Sequence, residues 1–182
     1  MGKFKTSLTA MAVVIALGAC SEQKAPETTG ADTQTATTSE QAQFDNVLLQ
    51  EFKGPYGGVP AFDKMKLEDL KPALEKAMAL NLEEIEAIAN NEAPPTFENV
   101  IVEMERAGAE LGRVFTYYGI WSANKSSPEF REIQAEMSPK LSAFFTQITQ
   151  NEKLFERVKT VYESDELKSL TPEEQRITWM TY

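Results

Sequence analysis

The sequence contains no histidine and a single cysteine, Cys20. The first absence removes every His-based general base, the Ser-His-Asp and Cys-His arrangements and the H-E-x-x-H zinc motif from anything this chain does alone. The second excludes an internal disulfide. Basic charge is also short, with 18 Lys and Arg against 28 Asp and Glu and a formal net charge of -10. Loss of Lys3 and Lys5 with an amino-terminal leader would take it to -12. So acidic a balance argues against nucleic acid as a partner and reads as a solvated surface that keeps the protein soluble.

What is present at the amino terminus is a three-part layout. Lys3 and Lys5 precede an uncharged, mostly apolar run over 8–19, which closes on the small residues Gly18 and Ala19 just before Cys20. This is the organisation of an export signal, and twelve residues are too few to cross a bilayer that needs about 20. Leu17-Gly18-Ala19-Cys20 resembles the lipobox of bacterial lipoproteins. The resemblance implies a signal peptide over 1–19 and lipidation of Cys20 as the first mature residue, with an ordinary cleaved signal as the alternative. Residues 21–43 hold no Val, Ile, Leu, Met, Phe, Tyr or Trp and cannot bury enough apolar surface to order themselves. They are expected to form a flexible tether over 20–43, with a coil reach of about 26 Å. The layout implies a body attached to a lipid membrane through Cys20, in the cell envelope and facing the periplasm. Ser21 is similar to the residue that outer-membrane lipoproteins carry after the cysteine, in place of the Asp that retains them at the inner membrane.

The body over 44–182 reads as all-α, an antiparallel helical bundle preceded by an extended arm. The arm is turn-rich through Gly54, Pro55, Gly57, Gly58 and Pro60. A short helical turn over 63–70 is expected to end or restart at Pro72, and a stripe of Leu74, Met78, Leu82, Ile85 and Ile88 follows to a stop at Asn90-Asn91. The most regular segment lies over 94–124. Phe97, Ile101, Met104, Gly108, Leu111, Phe115 and Tyr118 recur at steps of four and three, which predicts one long helix of about 39 Å opened by Thr96 and buried along that stripe. A short link through Pro94 and Pro95 predicts that it lies antiparallel to the preceding helix. Ser127 and Pro128 open a third helix with Phe130, Ile133, Met137, Leu141, Phe144 and Ile148 on its stripe; Pro139 predicts either a kink near Ala135 or a break at Ser138, and the unbroken phase of the stripe favours the kink. Asn151 opens a fourth, and Thr171-Pro172-Glu173-Glu174 is a capping box that starts a last one. That helix carries Trp179, Met180 and Tyr182, an apolar group expected either to dock on this bundle or to mark the front part of a longer protein.

Several segments in order carry a resemblance. Residues 59–66 (VPAFDKMK), 94–101 (PPTFENVI), Glu105-Arg106-Ala107-Gly108, Ala123-Asn124, 136–141 (EMSPKL) and 170–176 (LTPEEQR) resemble the amino-terminal part of the oligopeptidase A and peptidyl-dipeptidase members of the thimet oligopeptidase family of zinc metallopeptidases. The resemblance implies a helical wall of a deep channel that admits short peptides. Zinc is expected in the full-length relative, bound by a downstream H-E-x-x-H motif and a later glutamate. No catalytic or metal position carries over to this chain, whose catalytic carboxy-terminal part is missing, so the chain alone is expected to be inactive. The alternative is a standalone helical lipoprotein that binds a partner protein.

Within the body, Tyr117 and Trp121 lie partly off the predicted stripe and are expected as possible peptide-channel contacts, whereas Tyr118 is read as core. Glu83, Glu84, Glu86, Glu103 and Glu105 are expected as solvated faces rather than metal ligands. Arg106 and Arg113 share a helix side and are expected to pair with Glu103 and Glu110 rather than to hold a peptide carboxylate.

Overall fold

The computed structural model describes residues 45–54 and 58–182, so the leader, Cys20 and the tether lie outside the described residues. Among the described residues the architecture is all-α, and the only β pairing given there is a single antiparallel bridge between Lys53 and Val59. Asn46 fixes the arm: its side chain accepts from the Leu48 N–H at 3.0 Å and donates to the Asp69 carbonyl at 2.8 Å. The arm therefore begins with a single 3-10 turn, Val47–Leu49, and seats Leu48 fully in the core.

Helix α1 (Leu70–Ala89) follows directly from a 3-10 turn at Leu67–Asp69. The expected break at Pro72 does not occur, because a proline in the first helical turn gives up an N–H that has no intrahelical partner. The buried side of α1 is broader than the predicted stripe. It adds Ala73, Ala77 and Asn81, whose small side chains let a second helix lie close along it.

The predicted long helix over 94–124 is interrupted, and this corrects the reading from periodicity. Thr96 caps as expected, in a reciprocal box with Asn99. A π-helical stretch, Phe97–Val102, leads into a short helix α2 (Glu103–Arg106). Ala107 is then extended and Gly108 sits at φ 79, in the left-handed region, before α3 (Ala109–Asn124) begins. The break shifts the phase, so α3 buries Leu111, Val114, Tyr117 and Trp121 while Phe115 and Tyr118 are only half-buried.

Helix α4 (Pro128–Thr149) runs through Pro139 as one element, so the stripe stays in phase, with Phe130, Met137 and Phe144 buried at seven-residue spacing. Helices α5 (Glu152–Tyr162) and α6 (Pro172–Thr181) are joined by a 3-10 turn at Glu166–Ser169. Hydrogen bonds give the directions. Gly108 at the start of α3 meets Glu84 late in α1, and Arg113 and Tyr117 further along reach the arm at Leu49 and Ala61, so α3 is antiparallel to α1. Lys71 pairs with Glu136 and Glu75 with Lys140, both at 2.6 Å, so α4 runs parallel to α1.

One apolar core joins the arm, α1, α3 and α4 around Leu74, Val114, Tyr117 and Phe130. A second joins the π-helical stretch to α5 and α6 through Val100, Ile101, Val158, Val161 and Ile177. Between them Ile85, Ile88 and Leu154 close the gap, with Met104 and Ile148 packed on the outside.

Candidate functional site

Helix α6 starts where its sequence says it should. The Thr171 hydroxyl accepts from the Glu174 N–H, and the Glu174 carboxylate accepts from the Thr171 N–H at 2.8 Å. From that start, Ile177 and Thr178 turn inward, Thr178 completely, and its hydroxyl donates to the Glu174 carbonyl at 2.8 Å. Arg176, Trp179 and Met180 stand at i, i+3 and i+4 and so share the outer side. Trp179 is 62% and Met180 65% exposed. Tyr182 stacks against two rings of α5, with centroids 4.3 Å from Tyr162 and 5.8 Å from Phe155 and interplanar angles of 13° and 17°.

The result is an aromatic face across α5 and α6, with a hollow on either side of the last turn. One hollow, about 390 Å³, is lined by Met104, Leu154, Phe155, Val158 and Tyr182. The other, about 510 Å³, is bounded by Glu105, Glu173, Arg176, Ile177 and Met180. The helix docks on the bundle through Ile177 and Thr178, as one of the two expectations had it, while Trp179 and Met180 stay in solvent.

Tyr117 and Trp121 belong elsewhere. Tyr117 is 1% and Trp121 5% exposed, both in the main core. The Tyr117 hydroxyl accepts from the Ala61 N–H at 2.8 Å, and its ring meets Phe52 edge-on at 5.9 Å. Their expected place partly off the buried stripe is thus corrected by the phase shift at Gly108, and a contact from either ring to a peptide would require this packing to open.

The charged residues behave as side-chain pairs. Arg106 bonds Glu103 at 2.7 Å and Arg113 bonds Glu110 at 2.6 Å, as expected. Glu83, Glu86, Glu103 and Glu105 are exposed. Glu84 is not: it turns inward to accept from the Gly108 N–H at 2.7 Å. On α4, Lys71 and then Lys140 hold the Glu136 carboxyl below its ordinary range, and Glu75 and then Glu136 raise the Lys140 ammonium. Among the described residues no group of three His, Cys, Asp or Glu could hold a metal ion. With no histidine anywhere in the chain, zinc does not fit these residues.

Sequence reasoning missed Arg157. It is 8% exposed, and its guanidinium donates to the carbonyls of Asn91 (2.6 Å) and Ala93 (3.0 Å) and to Asn99 Oδ1 (3.1 Å). It thereby clamps the α1–α2 link onto α5. Nothing in an amphipathic pattern distinguishes such an arginine from a solvated one.

Residues 71–181, from the first turn of α1 to the last residue of α6, match the family described as Neurolysin/Thimet oligopeptidase, N-terminal domain. The chain belongs to that family. It is 32% identical over 132 residues to a dipeptidyl carboxypeptidase of Salmonella typhimurium, covering 72% of this chain and 19% of that protein. It is 29% identical over 131 residues to the oligopeptidase A of Escherichia coli, covering 72% and 18%. An organellar oligopeptidase A of Arabidopsis thaliana is 25% identical over 145 residues, covering 78% and 17%. The chain therefore spans less than a fifth of the length of each of these thimet oligopeptidase relatives. Membership favours a peptidase setting over a standalone partner-binding lipoprotein.

Proposed function

We propose that this chain is the amino-terminal, channel-wall region of a zinc-dependent oligopeptidase or peptidyl-dipeptidase that acts on short peptides and is held in the cell envelope by a lipid on Cys20. The family match over 71–181 carries this reading, supported by relatives named as peptidases whose length this chain covers only in small part. The zinc, its ligands and the general base belong to the part of such an enzyme that follows this region. No step of peptide hydrolysis is assigned to the residues described above. Their contribution is shape: a rigid helical wall that limits which substrates reach the reacting centre, an effect on access rather than on bond breaking.

Two experiments test it. The purified 182-residue chain, given zinc and short peptides, is expected to release no product, whereas a polypeptide in which it continues into an H-E-x-x-H segment is expected to cleave them in a chelator-sensitive way. Chelator-sensitive cleavage by the chain alone overturns the reading. For the anchor, radioactive fatty acid is expected to label the wild-type chain and not Cys20→Ala; equal labelling of the two removes the lipid.

A further inference from the structure

The arm and α3 border a hollow of about 370 Å³. Its walls are fixed by the packing of the arm. Arg113 on α3 donates to the Leu49 carbonyl at 3.0 Å, and the Phe52 ring stands edge-on to Tyr117. Gly58 sits at φ 98, and a Cβ there would lie 2.4 Å from the Phe52 carbonyl oxygen, so glycine is what lets the chain double back and set Val59 opposite Lys53. Tyr117 and Ala61 both line the hollow and meet at the tyrosine hydroxyl, which accepts from the Ala61 N–H. A phenol can also donate, and among the described residues nothing accepts from this one. A buried donor without an acceptor is unfavourable, so an acceptor brought from outside the chain is favoured at this point.

The rest of the lining narrows the ligand. Glu51, Lys53, Asp63 and Lys64 are all exposed, and none forms an ion pair with another described residue. Val59 also lines the hollow and is 47% exposed, so apolar surface stands open among these charges. A purely apolar ligand would leave two cations and two anions without partners, and a simple ion would meet its own sign on the same rim. A zwitterion with an apolar side chain matches every group. The volume is near the small end of the range for ligand pockets, about 300–1,000 Å³, which suits a molecule of a few residues at most. We infer that this hollow binds a free short peptide, its carboxylate accepting from the Tyr117 hydroxyl and pairing with Lys53 and Lys64, its ammonium held by Glu51 and Asp63. The tyrosine ring stays buried, and only its hydroxyl takes part. The ligand class is read from the hollow's own groups, so this inference goes beyond the function proposed above and does not rest on it.

The test is a calorimetric titration of the 182-residue chain with the dipeptide Leu-Leu, followed in parallel by amide NMR. Saturable binding at millimolar concentration is expected, with the Val59 and Ala61 amides shifting and that of Thr178 unmoved. The same dipeptide acetylated at its amino end and amidated at its carboxyl end, and so without charge, is expected to bind several-fold more weakly. Tyr117→Phe keeps the ring and is expected to weaken Leu-Leu about tenfold, the loss of one hydrogen bond to a charged acceptor. Lys53→Gln with Lys64→Gln, at exposed positions, is expected to weaken it several-fold. Absence of both heat and shifts overturns the inference, and so does equal binding of the uncharged dipeptide, which would make the hollow an apolar patch only. Unchanged binding in either variant, each checked for a native melt, overturns it too by placing the peptide elsewhere; if Tyr117→Phe does not keep that melt, the lysine pair decides.

Discussion

The Glu84 carboxylate accepts a 2.7 Å hydrogen bond from the N–H of Gly108, 24 residues further along the chain, and so caps a helix that has no side-chain cap of its own. This pair sets the turn between α2 and α3. A Cβ on Gly108 would come within 3.0 Å of Asn81 Nδ2, and φ 79 is unfavourable for any L side chain. Gly108→Ala is expected to destabilise the fold by about 1–3 kcal/mol. Gly112→Ala and Gly119→Ala, in open space on the same helix, are expected to stabilise it by about 0.5–1 kcal/mol. Urea midpoints decide, and equal midpoints for the three variants would show that the turn is not strained.

Arg157 is a buried cation hydrogen-bonded to three neutral oxygens, so its geometry matters more than its charge. Arg157→Ala is expected to cost about 3 kcal/mol, from the lost hydrogen bonds and lost packing of its stem. Arg157→Lys should recover little, because one ammonium cannot span three acceptors placed for a planar fork. Recovery of the wild-type melting temperature by lysine would contradict this.

Helix α6 depends on a local cap, and its loss should be felt locally. Thr171→Ala is expected to cost about 1 kcal/mol and to speed amide exchange in α6 while leaving α1 and α3 unchanged. Uniformly faster exchange throughout the chain would mean that α6 does not open separately.

The charge cluster Lys71, Glu75, Glu136 and Lys140 gives a pH signature. Glu136 has a lowered pKa, so the stability it contributes is present above its ordinary value of 4.5 and is lost as pH falls through the lower folded value. Lys140 has a raised pKa, so its contribution is present below 10.5 and is lost as pH rises through the higher folded value. All four side chains are solvent-exposed to a large degree, so the effect is small and salt should shrink it. The melting difference between wild type and Glu136→Gln is expected at neutral pH, to vanish in strong acid and to fall in high salt; a difference that persists in acid would assign it to packing.

Much of this fold is written in local signals. Thr96, Ser127, Asn151 and Thr171 each accept from a first-turn N–H where the sequence places a helix start, because capping is decided within a few residues. The interruption at Gly108 was not legible. A glycine on an apolar stripe reads as a small core residue, and the left-handed turn is secured by Glu84 and Asn81 from another helix. Pro139 was legible to the extent that the stripe continues in phase through it: it lies on the exposed side of α4 with Ala135, where water can satisfy the carbonyl that loses its partner. The candidate site divides the same way. The apolar end of α6 was visible in Trp179, Met180 and Tyr182, but the burial of Tyr117 and Trp121 depended on the phase change that periodicity hid.

Hydroxyl-radical footprinting with mass spectrometry measures the exposed face residue by residue. In the 182-residue chain Trp179 and Met180 are expected to oxidise readily while Trp121 and Met137 stay protected. Oxidation of Trp121 and Met137 as fast as that of Trp179 and Met180 would contradict the account.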